Sequence, residues 1–202
     1  MDQSDIELWR RAGQGDGDAF VLLFRRHADA IYNFCFRRTA DWAHAEDLTS
    51  RTFLEAWRRR ADVEAFGDSL LPWLYGVAPN VVRTDWRTLR RRVQAYARRP
   101  LDAETPDFAD DVAARLDSEA AMRRILEAAR DLGAIDRDVL TLSWQGLTYT
   151  EIAFALGLPL GTVRSRLSRA RSRVLLAIRK AEQDTNADSG LAAAIGDNDG
   201  HV

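Results

Sequence analysis

The sequence predicts an all-α protein built as two small helical domains joined by an acidic, flexible linker. Apolar residues recur three and four apart through most of the chain, and no stretch alternates apolar and polar residues over the length of a strand. Charge falls in blocks, with two basic helical regions on either side of an acidic connector. A chain of 202 residues, 46% hydrophobic and 30% charged, is long enough for one or two packed domains.

Taken in order, Ser4 to Glu7 fits a capping box for a short first helix. Asp18 is placed to cap a longer one through "AFVLLFRRHADAIYNFCFRR", and Asp41 caps the next, to about Arg60. A further helix covers Leu70 to Ala97, with Pro79 inside it. After the connector, Ser118 opens a helix to about Leu132, followed by "IDRDVLTLSWQ", "TYTEIAFALG" and "GTVRSRLSRARSRV".

The charge blocks set the domain limits. Seven arginines lie between Arg83 and Arg99 against the lone acid Asp85, and seven basic residues lie between Arg164 and Lys180 against none. Asp102 to Glu119 holds seven acids against Arg115, and the chain from Glu182 onward is acidic and rich in Gly, Asn and Asp. We expect a first domain at 1–98, a linker at 99–117, a second domain at 118–182 and a disordered acidic tail at 183–202. One basic run alone reads more readily as a solvated helix face than as a DNA contact, but two such runs separated by an acidic connector point toward nucleic acid.

Several functions are excluded. The single cysteine, Cys35, closes no disulfide within the chain, and no signal-peptide pattern opens it, so a reducing, cytoplasmic setting is expected. The longest apolar runs fall far short of the ~20 residues of a membrane helix. His27, His44 and His201 share no ligand spacing with Cys35 or one another, so no metal and no cofactor is expected. "GQGDGDAF" follows no strand and ends on no lysine, so it is no phosphate loop, and no enzyme is expected.

The sharpest pattern lies near the end. In "TYTEIAFALGLPLGTVRSRL", Ala153, Gly157 and Val163 have the spacing of a helix-turn-helix: a small residue at the helix crossing, a left-handed turn and a buried plug. Thr150 is a candidate cap for its first helix, and Pro159 suits the opening of its second. Val163, Leu167, Ala170, Val174, Ala177 and Ile178 fall within about 100° of arc and form the buried stripe of a long helix. The opposite face centres on Ser165, Ser168, Arg169 and Ser172, flanked by Arg164 and Arg171 on one side and Arg166 and Arg173 on the other. Small residues at the centre let the axis approach a major-groove floor, while guanidinium groups reach bases or phosphates.

This region closely resembles the region-four helix-turn-helix of bacterial extracytoplasmic-function (ECF) sigma factors, group IV of the sigma-70 family. "DAFVLLFRRHADAIYNFCFRRTADWAHAEDLTSRTFLEAWRRR" and "PWLYGVAPNVVRTDWRTLRRR" are similar to the successive parts of their region two. The resemblance spans roughly Asp16 to Arg179 in the family's order. It implies an initiation factor that binds core RNA polymerase through the beta-prime clamp helices and the beta flap. Domain two would read the minus-ten promoter element and domain four the minus-thirty-five element. Such proteins are commonly held by an anti-sigma factor, a further partner to expect.

By that resemblance, Arg164, Ser165, Arg166, Ser168, Arg169, Arg171 and Arg173 meet the minus-thirty-five element, and Phe66, Asn80, Arg83 and Arg87 meet the minus-ten element. Phe66, in the loop "VEAFGDS", either takes an unstacked base or folds back onto the core. Trp73 and Trp86 read as core. Asp47, Thr52, Phe53, Leu54 and Glu55 match the polymerase-binding motif. Ala45, Leu48, Thr52, Phe53 and Ala56 also form a core face within about 140° of arc, so Thr52 and Phe53 have two readings, while Leu54 stands outside that face beside Asp47, Arg51 and Arg58. Pro79 departs from the family pattern, and in a regular helix it would cost about 3 kcal/mol. The alternative function is a polymerase-independent helix-turn-helix repressor or activator.

Overall fold

The computed structural model describes residues 3–61, 67–96 and 112–196, and every element among them is a helix. The first half comprises α1 (Asp5–Gly13), α2 (Gly17–Thr39), α3 (Trp42–Arg58) and α4 (Leu71–Tyr96). The second comprises α5 (Val112–Ala128), α6 (Ala134–Trp144), α7 (Tyr149–Leu156) and α8 (Leu160–Gly196).

Local chemistry fixes the boundaries. Ser4 caps α1 by accepting the Glu7 N–H at 3.3 Å, and Asp41 caps α3 by accepting that of His44 at 2.9 Å. α2 is capped by Asp16, not Asp18: its carboxylate accepts the Ala19 N–H at 3.0 Å and is gripped by Arg11 at 2.6 Å, which also closes the turn from α1. α4 borrows its cap from another helix, because the Leu70 N–H donates to the buried Asp5 carboxylate of α1 at 2.9 Å. The same carboxylate receives Arg26 Nη1 and His27 Nε2, each at 2.6 Å, and so ties α1, α2 and the entry to α4 together. Burial works to raise the Asp5 pKa, but Leu70, Arg26 and His27 together hold it below the ordinary value.

α4 runs through Pro79 without a break. Around it, the Asn80 side-chain amide donates to the Gly76 carbonyl at 2.9 Å, bonding a main-chain acceptor one residue from the carbonyl that proline deprives of its partner. α5 begins at Val112, six residues before Ser118, and most of the expected linker lies outside the described residues. α8 continues as helix to Gly196, where a disordered tail is expected from 183. The "LAAAI" segment near its end favours helix, and no proline interrupts the extension.

The two halves are packed together rather than held apart. Leu8, Leu23, Ile31, Phe34, Leu48 and Leu74 fill the first, and Leu140, Leu142, Ile152, Val163 and Leu167 the second, within one continuous apolar cluster. Residues Asp138 to Leu142 of α6 are all buried, which puts α6 between α8 and the first half. α4 passes so close to α7 that a Cβ at Gly76 would lie 2.6 Å from the Ala155 carbonyl oxygen. Only glycine permits that approach.

Candidate nucleic-acid and polymerase surfaces

The helix-turn-helix is formed by α7 and α8. Thr148 and Glu151 make a reciprocal capping box at the start of α7, two residues before the Thr150 cap expected from the sequence. Glutamate at the third helical position selects Thr148, since only from there can it reach back to the cap N–H. Gly157 ends α7 with φ +63°, a left-handed turn that suits glycine. Pro159 supplies the carbonyl that accepts the N–H groups of Thr162 and Val163 at the start of α8.

The stripe predicted for α8 is buried at Val163, Leu167, Ala170 and Val174 and half-buried at Ala177 and Ile178. Arg164, Ser165, Ser168, Arg169, Arg171, Ser172 and Arg173 are exposed on the other side. Arg169 Nε donates to the Ser165 carbonyl at 3.2 Å, Arg171 reaches Ser143 Oγ at 2.9 Å, and Arg164 lies over the Tyr149 ring at 5.8 Å. Arg166 differs: it is half-buried and bonded at 2.7 Å to Asp136 of α6, so it braces the helix-turn-helix.

On α3, Thr52 and Phe53 are buried, with the Thr52 hydroxyl donating to the Leu48 carbonyl at 2.7 Å and Phe53 packed edge-on to Phe24 at 4.8 Å. Both belong to the core. Asp47, Leu54 and Glu55 face outward: Asp47 pairs with Arg51 at 3.0 Å, and Leu54 is 49% exposed. Leu54 and Glu55 line a groove of about 380 Å³ whose opposite wall, on α4, carries Asn80, Val81 and Thr84. That groove brings the polymerase set and part of the minus-ten set within one surface.

The minus-ten set is only partly accessible. Phe66 lies outside the described residues. Arg87 is exposed, whereas Arg83 donates Nη2 to the side-chain Oδ1 of Asn80 at 2.6 Å and Nη1 to Asp138 of α6. Asp138 is fully buried and also meets the buried Arg38 of α2 at 3.3 Å. Burial pushes the Asp138 carboxyl above its ordinary value despite its guanidinium neighbours, and burial likewise lowers Arg38. This Arg38–Asp138–Arg83 cluster is the feature the sequence reading missed. Its signal was an acid at the start of "DVLTL", a run apolar enough to be buried on every side. Trp73 packs against Trp9 at 5.2 Å, but Trp86 is 41% exposed and is not core, because its stretch of α4 faces the opening between the halves.

Among the described residues no group of His, Cys, Asp and Glu is placed to hold a metal ion, and no helix is long and apolar enough to cross a membrane. An exposed arginine-bearing helix behind a tight glycine turn, joined to a second helical unit, defines a helix-turn-helix protein of the DNA-binding class.

Comparison with known proteins makes this specific. Residues 23–92 match the model of sigma-70 region 2, and residues 122–174 match that of sigma-70 region 4. The chain is 36% identical to the RNA polymerase sigma factor CarQ of Myxococcus xanthus, over 81% of its own length and 91% of CarQ. It is 34% identical to the ECF RNA polymerase sigma factor BldN of Streptomyces coelicolor, over 82% of its own length, and spans 62% of BldN. Its fold is similar to the sigma factor RpoE of Bartonella quintana, solved with the anti-sigma factor NepR, at a TM-score of 0.57 and 24% identity over 79% of this chain and 96% of that one. The chain belongs to the ECF sigma factors of the sigma-70 family.

Proposed function

We propose that the chain is the promoter-recognition subunit of a bacterial RNA polymerase, a non-catalytic initiation factor working in the cytoplasm. Its α8 enters the major groove of the minus-thirty-five element, α4 follows the minus-ten element, and Asp47, Leu54 and Glu55 contact core enzyme. The observation that carries this reading is the division of α8 into a buried stripe and an exposed face of arginines and serines. Arg169, at the centre of that face, is assigned to base reading. Arg164, Arg171 and Arg173 on the flanks are assigned to phosphates.

The packed arrangement has a mechanistic consequence. Asn80 and Arg83 are bonded to each other and, through Asp138, to α6. Arg83 cannot neutralise a DNA phosphate while it neutralises Asp138, so promoter recognition requires α6 and α7 to separate from α4. Core polymerase supplies that separation if it binds the separated form more tightly. An anti-sigma factor that favours the packed form would act in the opposite direction.

The test is transcription in vitro with purified core polymerase. The proposal expects co-fractionation with core and transcripts starting at defined promoters only when the chain is present. A repressor or activator that works without joining the polymerase would bind its operator alone and would not co-fractionate.

A further inference from the structure

Between the halves lies a second groove, of about 620 Å³, within the usual range of about 300–1,000 Å³ for small-molecule sites. Its lining includes Arg38, Arg83 and Arg87 from the first half and Arg123, Arg130 and Arg137 from the second, against the single acid Glu127. Some of this charge is already matched: Arg123 pairs with Glu119 at 2.8 Å, Arg130 with Glu127 at 2.7 Å, and Arg38 and Arg83 share Asp138. The matching is incomplete at the floor. Three guanidiniums, Arg38, Arg83 and Arg137, act on the one carboxylate of Asp138, the buried Arg38 Nε and Asp138 Oδ1 have no hydrogen-bond partner, and Arg137 donates to the Arg130 carbonyl at 3.3 Å. The half-exposed Trp86 forms part of the wall.

Clustered guanidinium forks around an under-neutralised floor match the geometry of phosphate oxygens, and an exposed indole offers a stacking face. We propose that this groove binds a small polyphosphate anion, free or as a nucleoside polyphosphate, which bridges the halves and holds them in the packed arrangement. The binding site stands on this geometry alone. Its effect on promoter recognition rests on the sigma-factor reading above, because the bound anion keeps Arg83 and Asn80 away from DNA.

Calorimetric titration of the full chain with sodium tripolyphosphate, ATP and GTP, with sulfate as control, tests the site. The expected result is saturable binding at one site per chain, at least tenfold weaker in the exposed-residue double variant Arg123→Ala/Arg130→Ala and unchanged in Arg179→Ala, which lies outside the groove. Equal affinity for tripolyphosphate and the nucleotides identifies phosphate as the ligand chemistry; a nucleotide preference lost in Trp86→Ala identifies a nucleoside polyphosphate. A raised melting midpoint and weaker capture of a single-stranded minus-ten oligonucleotide when tripolyphosphate is present establish the bridging role. No saturation by about 5 mM, or binding that survives the double variant, overturns the proposal. So does an oligonucleotide that binds these six arginines more tightly than any polyphosphate, which would reassign the groove to DNA. Binding that holds in a chain unable to support transcription would sink the sigma-factor reading and leave the site standing.

Discussion

Replacing Asp138 by asparagine keeps the shape of the side chain and removes the only carboxylate shared by Arg38 and Arg83. Asp138 is 0% and Arg38 8% exposed, so the variant leaves a buried guanidinium without its counter-charge. Removing one partner of a buried ion pair costs about 3–5 kcal/mol. The loss should fall on the packing of the halves, because Arg38 is solvated again as soon as α6 moves away from α2. At about 1.4 kcal/mol per tenfold, the ratio of packed to separated forms drops by roughly two to three and a half decades. Small-angle scattering of Asp138→Asn should then show a larger radius of gyration at unchanged helical circular dichroism. A minus-ten oligonucleotide should bind more tightly, since Arg83 is released. A variant that stays as compact as the parent, with oligonucleotide affinity unchanged, would refute the claim that this cluster holds the halves together.

Gly76→Ala reaches the same interface without touching charge: a methyl 2.6 Å from the Ala155 carbonyl oxygen forces α4 and α7 apart, so scattering should report expansion like that of Asp138→Asn. For Asp5 the sign follows from its lowered pKa: the carboxylate stabilises the fold above its unfolded value of about 3.9, and the contribution is lost as pH falls through the lower folded value. Asp5→Asn should therefore lower stability by about 2–3 kcal/mol at pH 7 in urea titrations, with the gap to the parent closing only below about pH 4. Asp47→Arg changes an exposed side chain, so it should move stability by no more than about 0.5 kcal/mol while weakening co-fractionation with core polymerase. Undiminished co-fractionation would remove Asp47 from the contact surface.

The elements of this fold were legible because period and capping chemistry are local. The stripe from Val163 to Val174 follows from a 100° step alone, and Gly157 announces the turn because few residues tolerate its φ. Boundaries were misplaced where a neighbour decided them, as when Arg11 draws Asp16 into the cap of α2. The packing of the halves was not legible, since it depends on Gly76, Arg38 and Asp138, residues separated by tens of positions that meet only in three dimensions. Arg166 shows the same limit within the candidate site: periodicity places it beside the DNA-facing arginines, yet Asp136 of α6 turns it inward. Thr52 and Phe53 had both a motif reading and a core reading, and burial selects the core.

The most direct test of the central claim is transcription by core polymerase over a promoter library randomised at both elements, with the parent chain and with Arg169→Ala and Arg173→Ala. If α8 reads the upstream element as proposed, the parent enriches a two-element pattern. Arg169→Ala then relaxes preference at one upstream base pair by about 1–3 kcal/mol, leaving the downstream element unchanged, whereas Arg173→Ala weakens all promoters nearly uniformly. Core-dependent transcripts without an upstream preference, or an Arg169→Ala pattern indistinguishable from that of the parent, would contradict the account.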